Sequence, residues 1–218
     1  MNKDYTILLY GKSGSGKSTS LRNLPLDKTY FINIEGKDLP FKHSKLLKHT
    51  KPKSLIEVRE NLKEATDNDD VEIVIIDSIT MLTDIMVYTE LVKNSADSRG
   101  GWLELRDWVI GLIEFAKKSN KTFIFLALEM DILNEKEFVT FSTPKVVGSL
   151  KDSLPSHFTT VLRSVVREVD EKLEYQFQTN RTVKDINTVS KSPMNMLDIH
   201  ESNDMQNILE KMHKYYKD

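Results

Sequence analysis

Cysteine is absent from this 218-residue chain, which excludes a disulfide framework and any thiolate metal site and gives no pointer to an oxidising compartment. The histidines, His43, His49, His157, His200 and His213, have no metal-ligand spacing, so they read as structural or surface groups. No apolar run is long enough to cross a bilayer, and a strand-like segment begins by residue 5. That leaves no room for a signal peptide, so a cytoplasmic location without membrane contact is expected. Charge of one sign is also lacking: the formal net charge is −2 with 29% charged residues, and any nucleic-acid contact has to come from local patches. Repeats, low-complexity linkers and a Gly-x-Ser-x-Gly elbow are missing as well, which removes solenoids and serine hydrolases from consideration. The length suits one compact domain over residues 1–218, ending in a surface helix near 203–217.

What is present is an alternation of short β-branched and aromatic runs with amphipathic stretches, the signature of βαβ units. Strands are expected near 5–10, 29–35, 71–77 and 121–128. Helices are expected just after the first strand, over about 53–66, and over about 101–118, where Trp102, Leu105, Trp108, Val109, Leu112, Ile113 and Ala116 recur at helical period. Both tryptophans read as core. After Leu128 the pattern changes: Asp131 to Pro144 is polar and irregular, and then Phe158–Val169 and Lys172–Thr179 form a hairpin turning at Asp170-Glu171. The fold class is α/β, a mainly parallel sheet with helices on both faces and an antiparallel C-terminal hairpin.

The strongest chemical signal is Gly11-Lys12-Ser13-Gly14-Ser15-Gly16-Lys17-Ser18-Thr19, entered directly from the apolar run Tyr5–Tyr10. It fits the G-x-x-x-x-G-K-[ST] loop that wraps nucleotide phosphates. Its glycines let backbone N–H groups turn onto the anion, Lys17 reaches the β and γ oxygens, and the Ser18 hydroxyl can hold Mg²⁺. A helix beginning near Lys17 would add its positive end. About sixty residues later Val71–Ser78 is an apolar strand closed by Asp77, where a nucleotide fold places the acid of its Mg²⁺ site. A third segment, Phe31–Gly36, carries Glu35 at its carboxyl end, the end at which open α/β sheets bind ligands. A carboxylate beside a γ-phosphate can polarise water, so Glu35 is a candidate general base. A turn acid starting the next segment is the plainer reading.

Glu35 after the second strand, Asp77-Ser78-Ile79-Thr80 after the third and Thr122–Glu129 as the fourth resemble the RecA-like ATPase core. More closely, the chain resembles phage-encoded RecA-core proteins of the Sak group, which are single-strand annealing proteins, over roughly residues 5 to 192. The resemblance implies ATP and Mg²⁺ as cofactors. Lys17 and Ser18 would sit on phosphate and metal, Asp77 would be the magnesium-side acid and Glu35 would activate water. It puts Glu129 where RecA has a glutamine that senses the γ-phosphate, a departure because a carboxylate there is repelled by triphosphate. It puts Asp131–Val147, with Lys136, Phe138, Phe141 and Lys145, at a mobile DNA-binding loop, and Lys93, Arg99 and Gly100-Gly101 at a second one. It also implies a homo-oligomer, ring or filament, in which Lys191, then Arg181, with Lys184 nearby, completes a neighbour's site. Single-stranded DNA is the implied partner, with a single-strand-binding protein beside it.

Outside these features, Lys42, Lys45, Lys48 and Lys51 recur every third residue, flanked by Lys37 and Lys53. They read either as a phosphate stripe or as a solvated face, and only Phe41 interleaves. Two other function classes stay open. A P-loop kinase of a nucleotide or small molecule would need a lid of arginines, and the arginines here are scattered. A non-hydrolysing, nucleotide-dependent interaction switch is the other.

Overall fold

The computed structural model describes residues 4–95, 97–134, 139–183 and 185–217. The sheet is built on β1 (Thr6–Gly11), β2 (Thr29–Asn33), β3 (Lys48–Thr50), β4 (Ile73–Asp77), β5 (Thr122–Asn134), β6 (Val139–Pro144), β7 (Thr160–Val169), β8 (Lys172–Gln178) and β9 (His200–Ser202). Their order is β3-β2-β4-β5-β1-β7-β8-β9, with β6 paired to β5. The run from β3 to β7 is parallel throughout, and β7-β8-β9 and β5-β6 are antiparallel. The phosphate-loop strand β1 lies between β5 and β7 in a mainly parallel sheet with antiparallel C-terminal strands.

Alternation along the buried strands divides the core in two. Leu8, Tyr10, Tyr30, Ile32, Val74, Ile76, Phe123 and Phe125 face one layer, which is covered by α1 (Leu55–Asp67), α2 (Ile79–Ile85) and α3 (Ser98–Lys118). Ile7, Leu9, Phe31, Ile73, Ile75, Ile124 and Leu126 face the other, which is covered by Leu21, Leu24 and α5 (Met205–Lys217). A parallel sheet covered on both faces needs such doubly apolar strands. The short α4 (Leu150–Ser153) lies before β7.

The β7–β8 hairpin turns at Asp170 and Glu171, both at positive φ (49° and 59°), the geometry of a two-residue turn matched to strand twist. Four expectations need correction. The stretch after the phosphate loop holds no α-helix, only a three-residue 3-10 turn, Thr19–Leu21. Pro25 disfavours helix at Leu24, and Ser20 and Arg22 turn their side chains onto the carbonyls of Lys17 and Thr19. Asp131–Pro144 is an antiparallel hairpin, β5 running on through Asn134 and pairing Asp131 with Ser142; both its faces are partly solvated, so no apolar period marks it.

Third, Arg99, Gly100 and Gly101 lie in the first turn of α3, which Asp97 caps through the N–H groups of Arg99 and Gly100. A Cβ on Gly101 would come within 3.0 Å of Leu91 O and Val92 Cα, so this glycine serves close packing. Fourth, α3 buries Leu105, Val109, Leu112, Ile113 and Ala116, while Trp102 is 38% exposed and Trp108 is half-buried beneath the Arg59 guanidinium.

Candidate nucleotide-binding site

Gly14 and Gly16 adopt positive φ, 78° and 93°, so the loop after β1 turns without the strain a side chain would add there. Gly11 has no room for one either: a Cβ would lie 2.6 Å from both Ser15 Oγ and Ser164 O. Ser164 Oγ donates to Ser15 O at 2.6 Å, which fastens the loop to β7. The buried Lys17 folds back, Nζ donating to Gly11 O at 2.8 Å and Lys12 O at 2.9 Å. Burial pushes its pKa down, against the upward pull of Asp77 and Glu35. With only one short turn behind the loop, a helix dipole has little to give an anion here. The backbone N–H groups and Lys17 carry that task.

Glu35 is presented by a preorganised turn. Asn33 Oδ1 accepts from Gly36 N at 2.9 Å, Asn33 Nδ2 donates to Lys37 O at 2.7 Å, and Gly36 takes φ 68°, an Asx-type turn. Glu35 N donates to Asp77 O at 3.0 Å, joining the ends of β2 and β4. The Glu35 carboxylate accepts from Ser78 Oγ at 3.0 Å and from Lys37 Nζ at 2.8 Å. Ser78 also caps α2, accepting from Met81 N. Asp77 is buried and accepts from Ser18 Oγ at 3.3 Å. Its pKa is pushed up to about 6, first by burial and then by the negative Glu35, against the pull of Lys17, Ser18 and Lys37.

A cavity of about 470 Å³ opens between these groups, lined by Gly14, Gly16, Lys17, Ser18, Thr19, Glu35, Lys37 and Asp77 among others. Two carboxylates and a hydroxyl at its base are hard oxygen donors of the kind Mg²⁺ prefers, used with substrate phosphates and water rather than as an all-protein cage. A cation there would stabilise the Asp77 carboxylate against the burial and the Glu35 charge that raise its pKa, so the residues fit Mg²⁺ and a triphosphate. A protein-family model described as an AAA domain matches residues 3–194. The chain belongs to this AAA domain family.

No curated protein matches its sequence. Among solved structures it is similar to a KaiC-like protein from the hyperthermophilic archaeon Pyrococcus horikoshii OT3, at 13% identity, a TM-score of 0.48, and coverage of 79% of this chain and 76% of that one. Membership makes this AAA domain a P-loop ATPase core. Among its described residues no helix is long and apolar enough to cross a membrane.

Other candidate residues are placed elsewhere. Glu129, buried to 2% side-chain exposure, is held bidentately by Arg163, Nη2 to Oε1 at 2.7 Å and Nε to Oε2 at 3.0 Å. Since Gly11 faces both Leu128 on β5 and Ser164 on β7, the pair spans the carboxyl end of β1 beneath the phosphate loop. Arg163 also donates to Ser142 Oγ at 3.2 Å, and Ser142 to Asp131 Oδ1 at 2.7 Å. Asp131 pairs with Lys12 at 2.9 Å, and the Ser142 hydrogen bond, followed by Lys12, holds its carboxyl below the usual range. A continuous polar chain therefore ties the phosphate loop to the β5–β6 hairpin.

Arg181, Lys191 and Phe141 line a second cavity of about 320 Å³, with Lys151 and Asp152. Lys191 is pinned through its backbone to Val161, N to O at 3.0 Å and 2.8 Å, and burial, then Arg181, lowers its pKa. Lys145 is exposed at the base of the hairpin, its N donating to Leu128 O at 2.6 Å and its O accepting from Thr80 Oγ1 at 2.7 Å. Lys93 is exposed in the turn before α3. Lys136, Phe138 and Lys184 lie outside the described residues.

The lysine stripe is divided. Lys48 pairs with Glu64 at 2.7 Å, and Lys51 donates to Gly36 O at 2.8 Å, as a solvated face would. Sequence reasoning missed Ser78 and Lys37 as partners of Glu35, although Lys37 stands just past the Gly36 turn, and it missed the links made by Arg163 and Asp131.

Proposed function

We propose that this AAA domain is an ATP- and Mg²⁺-dependent single-stranded-DNA-binding ATPase that promotes strand annealing in recombination, working as a homo-oligomer, with a single-strand-binding protein as a companion. The observation that carries the reading is the polar chain from Lys12 through Asp131 and Ser142 to Arg163. It joins the phosphate loop to a hairpin whose Phe141 shares a cavity with Arg181, Lys191 and Lys151. An aromatic face beside several cations is the chemistry single strands use, stacking with backbone neutralisation. Occupancy of the phosphate loop can bias that hairpin because the two share charged partners.

In this reading the loop amides and Lys17 would hold the phosphates, and Ser18 and Asp77 would hold Mg²⁺, which when bound would supply neutralisation of phosphate charge. Glu35 accepts a proton from the attacking water, oriented by Ser78 and Lys37. Arg181 and Lys191 lie at a cavity of their own, where a neighbouring subunit's phosphates could be met; a cation on a transferring phosphoryl group is worth on the order of a thousandfold in rate. A second reading, a nucleotide-dependent protein switch, draws on the Glu129–Arg163 pair, which occupies the side chain standing where RecA has its γ-phosphate sensor.

The test is fluorescence anisotropy of a labelled single-stranded oligonucleotide at fixed salt, with and without ATP·Mg²⁺, for the natural protein and Lys17→Ala. The expected result is affinity raised by ATP in the natural protein alone. DNA affinity indifferent to ATP, or unchanged by Lys17→Ala, contradicts the reading, and unaltered turnover in Glu35→Gln would favour the switch.

A further inference from the structure

The lining of the phosphate-loop cavity has two chemically different parts. Lys17, Ser18, Glu35 and Asp77 are polar and charged, whereas Leu39, Pro40 and Tyr175 bring apolar surface to it. Tyr175 belongs to β8, two residues before Phe177. Residues at i and i+2 of a strand share a face, and Phe177 is fully buried in the core layer that Leu39 also packs against. Tyr175 therefore continues that face beyond the core, where its side chain is 43% exposed.

The ring lies against the loop itself. A Cβ on Gly16 would fall 2.9 Å from Tyr175 Cδ1, so the backbone that turns N–H groups toward phosphate carries an aromatic surface directly on its flank. The ring's apolar neighbours on this face, Leu173 and the cross-strand partner Val166, are themselves 63% and 39% exposed, and Lys172 and Glu174 beside them are polar and exposed, so the ring closes no core.

We propose that Tyr175 is the platform on which the base of a bound nucleoside triphosphate stacks, beside the Gly16 backbone, so that the site takes nucleotides by ring surface as well as by phosphate. This rests on the phosphate-loop reading and deepens it by giving the base its own subsite. Stacking uses the ring and not the hydroxyl, because every base has a π face to offer an aromatic partner.

The experiment is calorimetric titration of ATP·Mg²⁺ and of inorganic tripolyphosphate·Mg²⁺ into the natural protein, Tyr175→Ala, Tyr175→Phe and Lys17→Ala. Tyr175→Ala should weaken ATP by roughly ten- to a hundredfold and leave tripolyphosphate unchanged, and Tyr175→Phe should match the natural protein for both. ATP affinity unchanged in Tyr175→Ala overturns the proposal. So does an equal loss for tripolyphosphate, which would make the ring a prop for the loop. Failure of the underlying reading has a different signature: ATP and tripolyphosphate binding indifferent to Lys17→Ala, or no binding of either by the natural protein, overturns both.

Discussion

Two acids stand where the parallel pairing of neighbouring strands ends, Asp77 closing β4 and Glu129 in β5 one residue past its pairing with β1, and the fold treats them in opposite ways. Glu129 is neutralised at both oxygens by Arg163. Asp77 is buried beside another carboxylate and its pKa is pushed up to about 6. A buried charge with its counter-ion in place is part of the scaffold. One held against a like charge, at the edge of a cavity lined by a lysine and a serine, is arranged for a cation that arrives with the ligand. The pair at β5 fixes the platform under the phosphate loop, while the pair at β4 keeps a site whose charges are balanced only on binding.

The comparison can be broken at several points. The largest effect is expected at Glu35: Glu35→Gln should lower phosphate release by about a hundred- to ten-thousandfold with ATP affinity within a few-fold of the natural protein, as read by steady-state turnover beside titration. At the other end, Arg163→Ala leaves Glu129 buried without a counter-ion and should cost about 3–5 kcal/mol in denaturant unfolding. The apolar pair Glu129→Leu with Arg163→Met should recover most of that loss. Recovery of turnover by a similar apolar swap of Glu35 and Asp77 would contradict the division between the two ends.

A third test uses pH. The folded protein raises the Asp77 pKa from 3.8 to about 6, so between these values the native state binds more protons than the unfolded chain. This group's contribution is therefore most favourable below about pH 4 and declines as pH rises through 6. Asp77→Asn can still accept from Ser18 and carries no charge. Without metal or nucleotide it should be more stable than the natural protein at pH 7 to 8, by up to about 3 kcal/mol, with the advantage gone near pH 4. Thermal unfolding across that range checks it. The smallest effect concerns the exposed Lys12–Asp131 link. Lys12→Ala should leave the melting temperature unaltered and reduce the ATP-induced gain in DNA affinity by on the order of fivefold.

The difference between the two ends also explains what could be read without coordinates. The phosphate loop, Asp77 and Glu35 are legible because each sits at the end of an apolar run, and strand ends in an open α/β sheet meet at one place. The Asp170-Glu171 turn is legible because hairpin geometry is local. The Glu129–Arg163 pair is not, since it is made across β1 and needs the strand order β5-β1-β7 before it can be seen. The helix expected after the phosphate loop failed on Pro25 and on the side chains of Ser20 and Arg22, which compete for backbone carbonyls. Tyr175 carried no signal beyond its spacing from Phe177, because its role depends on where β8 passes the phosphate loop.

The most direct measurement is calorimetric titration of ATP into the natural protein and into Asp77→Asn, each with Mg²⁺ and with a chelator. The account predicts that Mg²⁺ strengthens ATP binding at least about tenfold in the natural protein and far less in Asp77→Asn. Equal affinity with and without Mg²⁺, or an Asp77→Asn protein that gains as much from the metal as the natural one, would contradict it.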